Sequence, residues 1–230
     1  MDNKIYDYIT SPSYKNDMLW GVKNLEEFNN NLYDAEPSTE NYKFRHGINA
    51  KKMGAWRWKG IFTYLDRFKS LLFDKNLKGV DLGGASNPIS PLLDIVDIQP
   101  IDLHGNKVKY SSLLEIPEPI DFIYSSHTLE HISNLDQILS EAFQVLKPQG
   151  TLALNLPSYS CKRWRANYGH IHKGLGGTPH LHTFKLSTTK VDEDIDNLID
   201  IDTILVKHNF NIEIAEYTGD NSIIIFAKKP

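Results

Sequence analysis

With 230 residues, 40% of them apolar and 23% charged, the chain has room for one sizeable α/β domain plus an appendage. A net charge of −4 argues against a dedicated DNA or RNA binder, and a single cysteine, Cys161, excludes an internal disulfide and fits a reducing compartment. No run approaches the ~20 apolar residues of a membrane span, and Met1-Asp2-Asn3-Lys4-Ile5-Tyr6-Asp7 lacks the apolar core of a signal peptide, so a soluble cytoplasmic protein is expected.

Residues 1–50 are polar, rich in Asn, Asp and Tyr, and broken by Pro12 and Pro37. Short helices and loops are expected there. From Ala50 to Phe73 the pattern becomes helical, with Trp58, Ile61, Phe62, Leu65, Phe68 and Leu72 at three- and four-residue steps. This lead, 1–76, reads as a cap on a core spanning 77–230. The core opens with a strand at 78–82 that runs into Gly83, Gly84, Ala85 and Ser86. A turn this bare lets a ligand lie against backbone at the carboxyl edge of a sheet.

Pro88 and Pro91 flank a short helix, and further strands are expected at 94–98, 107–110 and 120–126. Leu135 to Leu146 reads as a helix with apolar Ile138, Leu139, Ala142, Phe143 and Leu146, stopped by a turn at Lys147-Pro148-Gln149-Gly150. Thr151 to Leu156 is a strand. Residues 158–190 lose all periodicity while gathering Lys162, Arg163, Arg165, several glycines and four of the nine histidines. A structureless excursion of that length is usually functional. A helix near 194–208 follows, then strands at 211–217 and 222–228 joined by Gly219-Asp220-Asn221. β-α alternation with a closing hairpin predicts a mostly parallel, Rossmann-like α/β sheet of seven strands, with helices on both faces and one antiparallel strand near the C-terminus.

Three segments carry a family resemblance. Val80-Asp81-Leu82-Gly83-Gly84-Ala85-Ser86-Asn87-Pro88 resembles the first motif of class I S-adenosylmethionine-dependent methyltransferases of the small-molecule type. Ala85 and Asn87 stand where that motif usually has its second and third glycines. Val96-Asp97-Ile98 resembles the acid-bearing end of strand two. Asp121 to Ile132, followed by Val145 to Leu152, resembles the signature of strands four and five, with its Leu129-Glu130-His131. The resemblance covers about residues 77–157. It implies that S-adenosylmethionine is bound by Asp81, Gly83, Gly84, Ala85, Asn87, Asp97, Ile98, Ser112, Leu113 and Ser126, with Asp97 accepting from both ribose hydroxyls. Arg57, between Trp56 and Trp58, is a candidate for the cofactor carboxylate; helix packing is the alternative. For Asp81 the alternative is a turn or cap.

Methyl transfer requires alignment of the acceptor and, for a hydroxyl, removal of its proton. Histidine is the natural base near neutral pH. The candidates are His127 at the end of strand four, His131 four residues on, and His180 and His182 in the insertion, beside His170 and His172. The spacing His127-x-x-Glu130-His131 also resembles the Glu-x-x-Glu-His of metal-using members, the ubiquinone-pathway O-methyltransferases and the small-RNA 2′-O-methyltransferases. A divalent ion on His127, Glu130, His131 and His182, or on His180 instead, would lower the pKa of the acceptor. In metal-free members the glutamate caps a helix. Lys162, Arg163 and Arg165 either form a solvated patch or hold an anionic group of the acceptor.

The expected function is methyl transfer to a hydroxyl or amine of a small, anionic metabolite, such as a sugar or nucleotide-linked cell-surface precursor. The competing readings are a metal-dependent RNA 2′-O-methyltransferase and a non-catalytic cofactor-binding subunit. A nicotinamide enzyme is disfavoured because the turn lacks G-x-G-x-x-G and stands close to Asp97.

Overall fold

The computed structural model describes residues 76–83, 94–96, 108–167, 179–217 and 222–230. Arg57, Gly84, Ala85, Asn87, Asp97, Ile98, His170, His172 and the 1–75 lead lie outside them. Nine strands are described: β1 (Gly79–Leu82), β2 (Asp94–Val96), β3 (Val108–Tyr110), β4 (Ile120–Ser126), β5 (Leu146–Pro157), β6 (Thr183–Lys185), β7 (Leu198–Asp200), β8 (Asn211–Tyr217) and β9 (Ser222–Lys228). Two α-helices, α1 (Leu135–Val145) and α2 (Ile201–Lys207), join them.

Seven strands form one sheet in the order β3-β2-β1-β4-β5-β9-β8. The neighbours from β3 to β5 pair parallel, and β9 pairs antiparallel with both β5 and β8. Residue choice follows position. In β4 and β9, which have neighbours on both sides, almost every residue is buried, as in strands covered on both faces. Edge strand β8 carries Glu213 and Glu216 and stays partly exposed.

Helix α1 begins at Asn134, whose side-chain oxygen accepts from the Gln137 amide at 3.1 Å. Leu135, Ile138, Leu139, Ala142 and Val145 make its buried stripe. Partly buried Phe143 meets Phe210 edge-on at 5.3 Å. Phe122, Tyr124, Phe184, Phe210 and Phe226 are the largest fully buried side chains.

Three expectations need correction. The stop at 147–150 is a bulge inside β5. The register against β4 jumps from Ile120↔Leu146 to Phe122↔Thr151, and Gln149 takes a φ of 64°. Its amide donates to the Lys229 carbonyl at 2.8 Å, so the extra residues are absorbed without leaving the sheet. The helix near 194–208 is confined to α2, because 198–200 extend as β7 beside β6. The stretch 158–190 is not wholly irregular either. Ser158 bridges Phe184, the Tyr159 amide donates to the Phe184 carbonyl at 2.8 Å, and Thr183 Oγ1 accepts from the Ala166 amide at 2.7 Å. The returning half of the insertion is thus stitched to the carboxyl end of β5.

Gly83 follows β1 with a φ of +84°, and a Cβ there would run into the Thr128 side chain. Gly83→Ala is therefore predicted to cost about 1–3 kcal/mol of stability from its backbone conformation alone, plus the clash. Adding Thr128→Ala should return the steric part only. Urea unfolding of the single and double variants checks this; an unchanged midpoint for Gly83→Ala contradicts it.

Candidate active site

Two strand ends form the floor. The Ser125 hydroxyl donates to the Leu82 carbonyl at 3.1 Å, and Thr128 Oγ1 lies 3.2 Å from the same oxygen. The Gly83 amide donates to the Val96 carbonyl at 2.8 Å. The bare turn after β1 is thereby tied to the segment leaving β4, and Thr128 fills the space that a side chain on residue 83 would need. Asp81 is fully buried just before that turn.

Beyond Ser126 the chain turns sharply. His127 takes a φ of 49°, in the left-handed region that few non-glycine residues occupy. Its amide donates to the Asn155 carbonyl at 2.8 Å, and Asn155 Nδ2 donates to Ser126 Oγ at 3.1 Å. A 3-10 turn, Leu129–His131, follows and leaves Glu130 with no exposed surface.

Three imidazoles face the Glu130 carboxylate. His127 Nδ1 and His131 Nε2 are each 3.7 Å from Glu130 Oε1, and His180 Nε2 is 3.9 Å away. These separations exceed hydrogen-bond length. The Glu130 carbonyl accepts from the amides of Leu181 at 2.6 Å and His182 at 3.2 Å, which lays the insertion across the turn. His180 is 5% exposed, and its ring meets His131 edge-on at 4.6 Å.

Backbone carbonyls fix the tautomers. His131 Nδ1 donates to the Pro179 carbonyl at 3.2 Å, and His180 Nδ1 to the Trp164 carbonyl at 2.7 Å. A carbonyl can only accept, so Nδ1 carries a proton in each ring and Nε2 is the nitrogen that faces Glu130. His182 is bound the other way: its Nε2 donates to the Ile132 carbonyl at 2.8 Å. The expected metal set therefore changes. His180, not His182, joins Glu130 and His131, whose ligand atoms all lie within 4.8 Å of one another.

Other candidates have structural duties. Ser112 Oγ caps a 3-10 turn by accepting from the Leu114 amide at 3.1 Å, and the Leu113 side chain is wholly in the core. Arg165 donates from Nε to the Tyr159 carbonyl and from Nη1 to Glu193, at 2.8 and 2.6 Å. That hydrogen bond, then the guanidinium charge, holds the Glu193 carboxyl below its ordinary value. Of the three basic residues at 162–165, Arg165 is thus engaged and Lys162 is exposed. Two site neighbours escaped sequence reasoning. Trp164 packs edge-on against His127 at 4.6 Å, and Asn155 braces the strand end. No local motif marks either one.

Long-range 1H–15N spectra at alkaline pH, where free imidazole is neutral, test this arrangement. His131 and His180 are predicted as Nδ1–H tautomers and His182 as Nε2–H; the opposite pattern at either His131 or His180 contradicts the geometry.

Residues 45–190 match a family model described as a methyltransferase domain. A Haloferax volcanii methyltransferase, solved in complex with the Trm112 methyltransferase activator, superposes with a TM-score of 0.53 at 12% identity, over 80% of this chain and 93% of that one. An S-adenosylmethionine-dependent methyltransferase from Thermotoga maritima gives 0.48 at 14% identity, over 82% and 98%. One from Aquifex aeolicus gives 0.45 at 15%, over 73% and 88%. No curated protein sequence matches the chain. Among the described residues no helix is long and apolar enough to cross a membrane.

Proposed function

The chain belongs to the methyltransferase domain family and is a class I S-adenosylmethionine-dependent methyltransferase, and from that premise we propose that it methylates a hydroxyl, or an amine, of a small anionic metabolite such as a sugar or nucleotide-linked precursor. The observation that carries this reading is His127. It stands at the carboxyl end of β4 in a held left-handed turn, half-buried, with its Nδ1 3.7 Å from the buried Glu130 carboxylate. A base standing beside a buried acid is the pairing that supports proton removal from an acceptor.

The place of the donor is supported by the turn after β1, which stands at the sheet edge where such folds bind nucleotides, with Gly83 letting the Thr128 side chain pack against it. Asp97, with Gly84, Ala85 and Asn87, is proposed to complete the grip, the Asp97 carboxylate on the ribose. When bound, S-adenosylmethionine supplies a sulfonium methyl whose carbon–sulfur bond breaks, its electron pair staying on sulfur, as the carbon–oxygen or carbon–nitrogen bond forms. His127 takes the proton from the acceptor. The resulting imidazolium is stabilised by Glu130, whose burial strengthens the attraction. Leu181 and His182, held on the Glu130 carbonyl, lie across the turn beside this edge. Exposed Lys162 supports an anionic acceptor; Arg165 does not, because Glu193 and Tyr159 engage it.

Calorimetry with S-adenosylhomocysteine should show saturable binding to the wild type. Asp97→Ala should bind at least about tenfold more weakly, since each lost charge-assisted hydrogen bond is worth about 1.5–3 kcal/mol. Absence of any binding by the wild type overturns the assignment. Label from methyl-labelled donor appearing in RNA, and not in sugar nucleotides or phosphorylated metabolites, overturns the acceptor class.

A further inference from the structure

We propose that Glu130, His131 and His180 form a binding site for one divalent first-row transition metal ion of the zinc class, with His127 beside it. Four observations carry this. The first is proximity: one carboxylate oxygen and two imidazole nitrogens lie within 4.8 Å of one another. Ligand atoms about 2.1 Å from a tetrahedral zinc stand about 3.4 Å apart. The Nε2–Oε1 separations of 3.7 and 3.9 Å are near that value, and the whole set, within 4.8 Å, would draw in around an ion.

The second is orientation. Both rings donate Nδ1–H to a backbone carbonyl, Pro179 for His131 and Trp164 for His180, which turns both Nε2 atoms toward the carboxylate. A hydrogen bond on the far nitrogen is what fixes and strengthens a histidine as a metal ligand. A divalent ion placed among them can take all three groups as ligands at once.

The third is burial. Glu130 has no exposed surface and His180 is 5% exposed, so water screens the carboxylate poorly. His127 and His131 are 17% and 19% exposed at the side chain, which leaves the more open side of the cluster toward those two residues. The fourth is donor chemistry. Two imidazoles and one carboxylate leave a coordination position open, as catalytic zinc sites do, and imidazole-rich sets favour zinc or iron over calcium. Such an ion would act as a Lewis acid on the acceptor. That role rests on the methyl-transfer reading; ion binding does not.

The full chain, stripped with a chelator and exchanged into chelator-free buffer, is titrated calorimetrically with Zn2+ alone. Saturable uptake of one equivalent is expected, with a rise in the wild-type unfolding temperature and a visible absorption band when Co2+ is used instead. His180→Ala should weaken Zn2+ binding by at least about tenfold; His182→Ala should leave it unchanged. If His180→Ala does not fold, His180→Gln and the wild-type Co2+ spectrum decide instead. No saturable uptake, an undiminished affinity in the His180 variants, or a loss confined to His182→Ala overturns the proposal. S-adenosylhomocysteine is titrated into the same stripped protein. Donor-product binding without metal binding overturns the metal site and upholds the methyltransferase; metal binding without donor-product binding upholds the site and overturns the donor assignment.

Discussion

The burial of Glu130 is the constraint on which the rest of the site depends. A carboxylate with no solvent contact is costly unless positive charge stands close by. Here the surrounding groups are three imidazoles within 3.9 Å, drawn from three places in the chain: the end of β4, the 3-10 turn and the insertion. The backbone of the same residue accepts the amides of Leu181 and His182. One residue thus gathers the chemistry through its side chain and anchors the covering segment through its carbonyl. These contacts add to the hydrogen bonds from Tyr159 and Ala166 that hold the same segment to the end of β5.

The sheet explains why this happens at that place. Parallel strands from β3 to β5 bring the ends of β1 and β4 side by side, and Thr128 fills the space that Gly83 leaves. On the proposed reading, the donor and the acceptor of the methyl transfer meet at these adjacent strand ends. The left-handed turn at His127, braced by Asn155, re-aims the chain from the sheet into the cluster. Backbone strain of this kind persists where surrounding contacts over-determine it, and active sites are where it concentrates.

Much of this was legible in the sequence because it depends on local pattern. The apolar runs at 120–126 and 222–228 coincide with β4 and β9, and the three- and four-residue spacing from Leu135 marks α1. His127, Glu130 and His131 stood out because they share one short segment at a strand end. What failed depends on contacts distant in the chain. The bulge at 147–150 arises from pairing with Lys229, far along the chain. β7 is extended because Thr183 and its neighbours lie beside it, overriding a helical pattern in 194–208. His180 and His182 are two residues apart yet meet different partners, Glu130 and the Ile132 carbonyl; no composition rule says which one meets Glu130. Trp164, in the 3-10 turn after β5, meets His127 through a contact that no local pattern encodes.

A crystal structure of the full chain with S-adenosylhomocysteine, with anomalous data collected at the zinc edge, tests the central claim most directly: that one site joins the donor to the Glu130 cluster. The sulfur is predicted over the turn after β1 beside His127, with a single anomalous peak among Glu130, His131 and His180. Product density elsewhere on the sheet, or a peak centred on His182, would contradict it.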